Sequence, residues 1–208
     1  MGKCIVAFCL SIFITIVTHA QSELIVQGAR VEQPPPQVVR NPLDYTFTPI
    51  TALGLYVKQE ENGKDILMVT PEFNTLLKRW NLPDGQGNIF NMSGAGLAHY
   101  RGNNQPCLWT AFLADYESRR WFFSYEPRFV WDGDIEKSIW QRARIGIAPY
   151  LANYNDLNTW LMFQVDHYPA KHDHFVATPL IRFFYKTYLF EVGYSSNQHI
   201  MVNWQIQF

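Results

Sequence analysis

The chain has 208 residues, with 17 Lys and Arg against 18 Asp and Glu, and a formal net charge of −1 at pH 7. This near-neutral balance, without any run of Lys or Arg, leaves no electrostatic footprint for nucleic acid, so we expect no nucleic-acid partner. Aromatic residues are abundant (15 Phe, 11 Tyr and 7 Trp), and most lie in segments that alternate apolar and polar side chains. The composition favours β-strands, and the length suits one domain.

Residues 1–20 have the pattern of a secretory signal peptide. Lys3 gives a positive start, residues 4–17 form an unbroken apolar run, and a cleavage site ends at Ala20. The run is shorter than the ~18 apolar residues that a membrane-spanning helix needs. Cleavage near Ala20 would leave Cys107 as the only cysteine, so we expect no internal disulfide.

The next part of the chain divides into an arm, a strand and a loop. Residues 21–41 contain Pro34-Pro-Pro36 and little periodicity, and are predicted to be an arm or linker. Residues 45–57 place mostly apolar side chains at every second position, which predicts the first strand. The stretch 59–88 is ambiguous: residues 66–70 could be a strand and residues 71–80 a short helix, so we predict a long loop with structure of its own.

Seven further segments alternate with period two and are predicted as strands: 89–100, 107–115, 121–131, 142–151, 176–184, 188–194 and 199–208. A second long loop is predicted at 152–175, in which residues 160–165 could extend a strand. Eight strands is therefore the best count and ten the next, because barrels of the kind argued below usually have even numbers.

The last ten residues carry the most information. Ile200, Val202, Trp204, Ile206 and Phe208 fall on one face of the strand, and the opposite face is largely polar. A strand with an apolar outer face and a C-terminal aromatic residue is typical of the closing strand of a bacterial outer-membrane barrel. Trp204 and Phe208 would then form the assembly signal. The alternatives are a half-buried strand of a soluble β-protein and a lipocalin-like barrel, which would have the opposite polarity.

No segment after the signal peptide is apolar enough for a membrane helix, so a membrane-spanning chain would cross as strands in a closed barrel. We predict an all-β, antiparallel transmembrane β-barrel at residues 42–208, located in the bacterial outer membrane, with 21–41 as a periplasmic arm. The expected partners are outer-membrane lipid and the barrel assembly machinery, and we expect a monomer. Loop lengths predict two sets of connections: 101–105, 132–139 and 185–187 in the periplasm, and 59–88, 116–120, 152–175 and 195–198 outside.

Four charged residues lie at inward positions of neighbouring predicted strands: Glu126, Arg128, Arg142 and Arg144. An eight-stranded barrel has room for side chains but not for a water channel, and unpaired buried charges are costly. We therefore expect Glu126 to pair with Arg142 or Arg144 in a packed interior. A selective pore or an anion site is the alternative.

Short segments resemble the lipid A palmitoyltransferase family of eight-stranded outer-membrane barrels: Leu108-Trp-Thr-Ala-Phe-Leu-Ala-Asp115, Pro49-Ile50-Thr51, Pro179-Leu180, and Val192-Gly-Tyr194 with the ending Trp204-Gln-Ile-Gln-Phe208. The resemblance implies acyl transfer by a His that follows the first-strand Ile-Thr and by an adjacent Asp-Ser pair. Here Leu53 or Gly54 takes the place of the His. Asp115 matches the Asp, but Tyr116 follows it, and Ser118 is displaced.

The candidate catalytic residues are Asp115, Ser118 and His167, the last as a replacement base on an outer loop. Asp166-His167 and His172-Asp-His174 have the spacing of metal ligands but no supporting cysteine, so we expect neither a metal nor a cofactor. The favoured function is a non-catalytic barrel, in which loops 59–88 and 152–175 serve surface interaction or envelope integrity. The alternative is a lipid A acyltransferase-like enzyme acting on outer-leaflet lipid, and the sequence leaves open whether the chain is an enzyme.

Overall fold

The computed structural model describes residues 24–27, 30–32, 38–40, 43–60, 66–153, 155–169 and 175–207. Side chains are described at 45–58, 66–135, 137–153, 155–169 and 175–206. The predicted signal peptide, His172, His174 and Phe208 lie outside the described residues. Within them the chain forms strands, turns and irregular segments, and no described helix could cross a membrane.

All described strands belong to one antiparallel sheet, so the predicted all-β antiparallel fold is confirmed. Three short strands come first: β1 (Leu24–Gln27), β2 (Arg30–Glu32) and β3 (Val38–Arg40). Eleven strands then follow one another in the chain and in the sheet: β4 (Leu43–Thr48), β5 (Thr51–Glu60), β6 (Ile66–Leu82), β7 (Gly85–Tyr100), β8 (Asn103–Ser118), β9 (Trp121–Asp132), β10 (Glu136–Ile147), β11 (Asn158–His167), β12 (Phe175–Tyr185), β13 (Tyr188–Tyr194) and β14 (Ile200–Gln207).

The short strand β1 pairs with both ends of this run. Ile25 is opposite Asp44 of β4 on one side and opposite Gln207 of β14 on the other. Strands β2 and β3 form a small antiparallel pair that meets β14 where Val31 lies opposite Val202.

Tight turns join most neighbouring strands, because the chain offers suitable residues at each reversal. Thr48 lies opposite Thr51 across Pro49–Ile50, so β4 and β5 form a hairpin. Arg101 and Gly102 have φ angles of 48° and 82°. Two successive positive φ angles are the mark of a type I′ turn, whose twist suits a two-residue hairpin.

The predicted count of eight strands is not confirmed, because three segments hold more strands than predicted. Segment 45–57, predicted as one strand, turns at Pro49–Ile50 and contributes to β4 and β5. Segment 59–88, predicted as a long loop, contains the 17 residues of β6 and the start of β7. Segment 152–175, also predicted as a loop, contains the 10 residues of β11.

In each of these three segments the period-two pattern of apolar residues is hidden in the sequence. The apolar positions of 45–57 keep their phase through the two-residue turn, so a hairpin looks like one strand. In β6, Pro71 interrupts the pattern, and a register shift between Leu76 and Lys78 changes its phase. In β11, residues 160–163 are apolar on both faces, which removes the period-two signal.

The strand ends form two rims. The C-terminal rim, where β14 ends, holds the turns 49–50, 83–84, 119–120 and 186–187 and the loop 148–157. The opposite rim holds the turns 101–102 and 133–135 and the loop 195–199. The predicted grouping of 101–105 and 132–139 with 185–187 is therefore wrong. Because β11 was missed, the connections 101–105, 116–120 and 132–139 were assigned to the wrong side.

The two faces of the sheet have opposite chemistry. Along β9, the residues at 126, 128, 130 and 132 are buried, whereas those at 121, 123, 125, 129 and 131 are exposed and aromatic. The same alternation continues on β10 to β13. The described residues expose 35 large hydrophobic side chains, and the buried set includes Glu72, Arg128 and Asp132. Water-soluble proteins distribute these residue types in the reverse way.

Candidate functional site

The four charged residues predicted to face inward lie together on the buried face. Glu126, Arg128 and Arg142 are almost fully buried, and the side chain of Arg144 is 8% exposed. They alternate with outward residues on β9 and β10, which pair along their whole length. The strand geometry alone therefore directs all four side chains to one side.

Two carboxylates from later strands complete an ion-pair network. Asp166 on β11 accepts from Arg142 Nε at 2.8 Å. Glu191 on β13 accepts from Arg182 Nε at 2.7 Å and from Arg144 Nη1 at 3.3 Å through the same oxygen, Oε1. Both carboxylates are buried, Glu191 completely.

Neutral amides link these ion pairs to one another. Gln164 accepts from Arg144 Nε at 2.8 Å and donates to Asp166 Oδ2. Asn203 on β14 donates to Glu191 Oε2 at 2.9 Å. The network thus spans β10 to β14, and such connected polar groups hold a unique arrangement because each fixes the next.

Arg128 is enclosed by aromatic rings. Its guanidinium carbon lies 4.3 Å from the centroid of the Trp109 ring and 5.2 Å from those of Tyr56 and Trp140, and Nη2 pairs with Glu126 Oε1 at 2.8 Å. These distances lie within the range of cation–π attraction, which is stronger where water is excluded.

The predicted partner of Glu126 was Arg142 or Arg144. The register places Glu126 directly opposite Arg142, and both side chains are buried on the same face. An ion pair also joins Glu126 to Arg128, two residues further along the same strand. Arg128 and Glu126 therefore form an ion pair on β9, beside the network of β10 to β14.

Two apolar clusters border the charges on the buried face. The first is centred on Trp109, and its other members are Tyr56, Met68, Ala98, Cys107, Ala111 and Val130. The second comes from the later strands and consists of Ala148, Trp160, Met162, Leu180 and Met201. Trp109 connects the first cluster to polar groups, since its Nε1 donates to Thr70 Oγ1 at 2.9 Å.

A cavity of about 910 Å³ opens on the buried side at the C-terminal rim. Three connections frame it, at 83–84, 119–120 and 151–152. Its aromatic lining includes Trp121, Trp160 and Phe184, and its polar lining comprises Asp84, Gln86, Asn88, Glu117, Ser118, Arg119, Arg120 and Asn158. A concave space with aromatic walls and several polar groups is the usual form of a small-molecule site.

Asn88 is a buried polar residue in the lining of the cavity. Its Oδ1 accepts from Arg79 Nε at 2.8 Å and from Gln86 Nε2 at 3.1 Å. Its Nδ2 donates to Asp115 Oδ1 at 2.7 Å. Asp115, predicted as a catalytic residue, thus holds the amide of Asn88 from behind the lining.

Ser118, the second predicted catalytic residue, lines the cavity at the 119–120 turn. Its Oγ accepts from the backbone N–H groups of Trp121 at 2.8 Å and Arg120 at 3.2 Å, and it donates to the Trp121 carbonyl at 3.3 Å. These bonds occupy the hydroxyl in shaping the turn. Asp115 and Ser118 both lie in the last four residues of β8.

His167, the third predicted catalytic residue, is not brought to them. It ends β11 at the opposite rim, where its ring stacks on Phe175 with the centroids 4.3 Å apart. Leu53, at the position where the resembled family has its His, is exposed. No histidine of the described part of the chain lines the cavity.

Two other predictions concern the assembly signal and metal binding. Trp204 is exposed on β14, opposite Phe190 of β13, whereas Phe208 lies outside the described residues. Among the residues with described positions, no three His, Cys, Asp or Glu side chains are grouped as a metal site would require.

Sequence reasoning missed several of these functional groups. Asp166 fell in a predicted loop and was considered there only as a metal ligand, and Arg182 and Glu191 were inside predicted strands but were not assigned a face. A signal was present for Glu191, which is the only charged residue of β13. The cavity residues had no such signal, since their proximity depends on turns at three separate places in the chain.

Comparisons with known proteins add little. No protein-family model matches the chain, and no curated protein matches it. Among solved structures, the crystal structure of the outer membrane channel DcaP of Acinetobacter baumannii matches with a TM-score of 0.39 and 10% sequence identity, over 89% of this chain and 70% of that chain. A similarity this weak carries no argument about the fold or function of this protein.

Proposed function

We propose that this chain is an integral β-barrel protein of the bacterial outer membrane, with a closed interior that neither conducts solutes nor catalyses a reaction. The observation that carries the proposal is the reversed polarity of the sheet. Ion pairs and amides lie on the buried face, whereas the exposed face presents aromatic and aliphatic side chains.

A lipid environment accounts for the exposed face. Soluble monomers rarely present contiguous apolar patches of more than a few hundred Å². Here exposed apolar side chains follow one another across neighbouring strands, for example Phe123, Ile145, Phe163 and Ile181. Hydrocarbon can cover such a surface without cost, whereas water cannot.

Closure of the sheet is supported by β1. A lipid-facing sheet must have no free edge, because every backbone group in the membrane needs a hydrogen-bond partner. β1 pairs with β4 and with β14, so β1 and β4 to β14 can form a continuous ring. That ring has twelve strands, an even number as in bacterial outer-membrane barrels.

Strand lengths and aromatic residues fit a membrane of ordinary thickness. Strands β9 to β12 have 10 to 12 residues, and a tilted spanning strand needs about 9–11. Exposed Trp and Tyr residues gather at the C-terminal rim, as expected for an interfacial girdle: Trp80, Trp121, Tyr150, Tyr185 and Tyr188. Four of the five connections at this rim have two residues, which favours the periplasmic side.

The interior charges support a closed barrel. Arg142 and Arg182 both pair with buried carboxylates, and Arg128 is held among three rings. Paired charges and apolar clusters occupy the space that a conduit would need. The segments 59–88 and 152–175 consist largely of strands, so the proposal no longer assigns them a role as surface loops.

The absence of catalysis is proposed from the separation of the candidate groups. Asp115 holds Asn88 and Ser118 shapes a turn at the C-terminal rim, whereas His167 lies at the opposite rim. Acyl transfer needs a base within hydrogen-bond reach of the group from which it takes a proton. These three residues do not meet that requirement together.

The test is expression of the full chain followed by membrane separation, gel migration with and without boiling, and recording in planar bilayers, with a porin as the conducting control. We expect protein in the outer-membrane fraction, faster migration before boiling, and no stable single-channel steps. A soluble monomer would refute the membrane barrel. Large, stable conductance would refute the closed interior alone.

A further inference from the structure

We propose that the cavity at the C-terminal rim is a binding site for a neutral oligosaccharide. The proposed function assigns no ligand to the protein, so this site adds an activity to it. The proposal depends on the shape and lining of the cavity, and it would hold whether or not the interior conducts.

The size and position of the cavity suit such a ligand. Small-molecule sites usually have volumes of about 300–1,000 Å³, and this cavity of about 910 Å³ lies near the upper limit. It opens at the rim between the turns 83–84 and 119–120 and the loop 148–157. The loop is itself held in place, because Tyr150 Oη donates to the Leu157 carbonyl at 2.8 Å. A ligand of two or three sugar rings could enter from the solvent side.

The aromatic lining supplies surfaces for the sugar rings. Trp160 and Phe184, which line the cavity, come from the buried faces of β11 and β12. A pyranose ring has one face of C–H groups, which packs against the electron-rich face of an aromatic ring. Trp160 is 7% exposed, so its neighbours fix its orientation before any ligand binds and only a small part of its surface faces the cavity.

The polar lining supplies partners for hydroxyl groups. A hydroxyl both donates and accepts, so it is best bound by side chains that offer amide, carboxylate and guanidinium groups side by side. Gln86, Asn88 and Glu117 provide these groups within the cavity, and Arg119 and Arg120 provide donors at its mouth.

The balance of charges indicates a neutral ligand. Asp84 and Glu117 are the acidic residues of the lining, and Arg119 and Arg120 are the basic ones. Two charges of each sign give no net attraction for an anion or a cation, while each charged group remains a strong hydrogen-bond partner. An acidic saccharide would instead favour an excess of arginine.

The lining is preorganised by residues behind it. Arg79 and Asp115 hold the amide of Asn88 from opposite sides. Ser118 fixes the turn that presents Arg119 and Arg120. Asp115 and Ser118 are therefore positioning residues for this site: Asp115 orients the Asn88 amide, and Ser118 holds the 119–120 turn. Such fixed groups lose little entropy when a ligand binds.

The test uses the full chain in detergent micelles and isothermal titration calorimetry with maltotriose, with trigalacturonate and spermidine as charged comparisons. We expect maltotriose to bind with a Kd of about 0.1–1 mM and at least about ten times more tightly than either charged compound. Asn88→Ala should weaken binding about tenfold, since it removes hydrogen bonds from the centre of the wall.

Arg120→Ala and Arg101→Ala form a matched pair, because both arginines lie in two-residue turns but at opposite rims. Only Arg120→Ala should weaken binding, by about three- to tenfold. Each variant must keep its faster gel migration before boiling, which separates loss of the site from loss of the barrel. Tighter binding of a charged compound, equal effects of the two arginine variants, or no heat from maltotriose with an intact barrel would overturn the proposal.

Discussion

On β11, Gln164 and Phe163 are neighbours in the chain but have opposite surroundings. Gln164 is 2% exposed and joins Arg144 to Asp166, whereas Phe163 is 45% exposed between Ile145 and Pro179. One strand thus serves a polar interior and an apolar exterior at alternate positions. On this strand the polar side chain is buried and the apolar one is exposed, as expected when the surrounding solvent is hydrocarbon.

The largest expected effect comes from breaking the interior network at Arg142. Arg142→Ala leaves Asp166 buried without its ion pair, and removing one partner of a buried pair typically costs about 3–5 kcal/mol. Urea unfolding in lipid vesicles measures the loss. Arg142→Ala combined with Asp166→Asn should recover part of it, because the orphaned charge is removed. An unchanged unfolding midpoint for the single variant would contradict the network.

A charge placed on the exposed face tests whether that face lies in lipid. Phe163→Arg should lower the free energy of unfolding in lipid by about 2–4 kcal/mol, the cost of an arginine near the middle of a membrane. Tyr188→Arg, at the C-terminal rim, is the control and should cost only about 0–1 kcal/mol. Equal stability of both variants and the parent would indicate that the exposed face lies in water.

A substitution in the aromatic rings around Arg128 should lower the free energy of unfolding by a smaller amount. Trp109→Phe keeps an aromatic ring beside the guanidinium but removes the hydrogen bond to Thr70. Loss of one buried hydrogen bond, with weaker cation–π attraction, should cost about 1–2 kcal/mol in the same unfolding assay. Trp131→Phe, on the exposed face near the opposite rim, is the control and should have little effect. A greater loss of unfolding free energy in Trp131→Phe than in Trp109→Phe would contradict a stabilising contact between Arg128 and Trp109.

The smallest expected effect is at the turn that Ser118 shapes. Ser118→Ala removes the acceptor for the N–H groups of Arg120 and Trp121, which are exposed enough for water to replace it. We expect a loss of about 0.5–1 kcal/mol in unfolding free energy. Ser138→Ala, on β10 and away from this turn, provides the comparison. A loss above that of Trp109→Phe would mean that Ser118 does more than shape the turn.

Much of the fold could be predicted because most strands alternate cleanly. The predicted bounds 121–131 and 188–194 agree with β9 and β13 to within one residue. The sequence could not reveal β6 or β11. Proline and a register shift conceal β6, and the first half of β11 is apolar on both faces. Period-two arguments fail wherever both faces are apolar or the phase changes.

The candidate site could be predicted only in part. Alternation was enough to place Glu126, Arg128 and Arg142 on the buried face, since this depends on one strand at a time. Which carboxylate meets which arginine depends on strand order, and the missed β11 carries Asp166. The cavity requires three distant turns to meet at one rim, and no local pattern contains that information.

The most direct test of the reversed sheet is spin labelling along β11 in lipid bilayers. A single cysteine is introduced in turn at each position from 161 to 165, in a Cys107→Ala background, and collisions with dissolved oxygen and with a water-soluble nickel complex are measured. We predict oxygen maxima at 161, 163 and 165, with minima at 162 and 164 and little access for nickel throughout. Nickel maxima at 161 and 163 would place the exposed face in water and contradict the account.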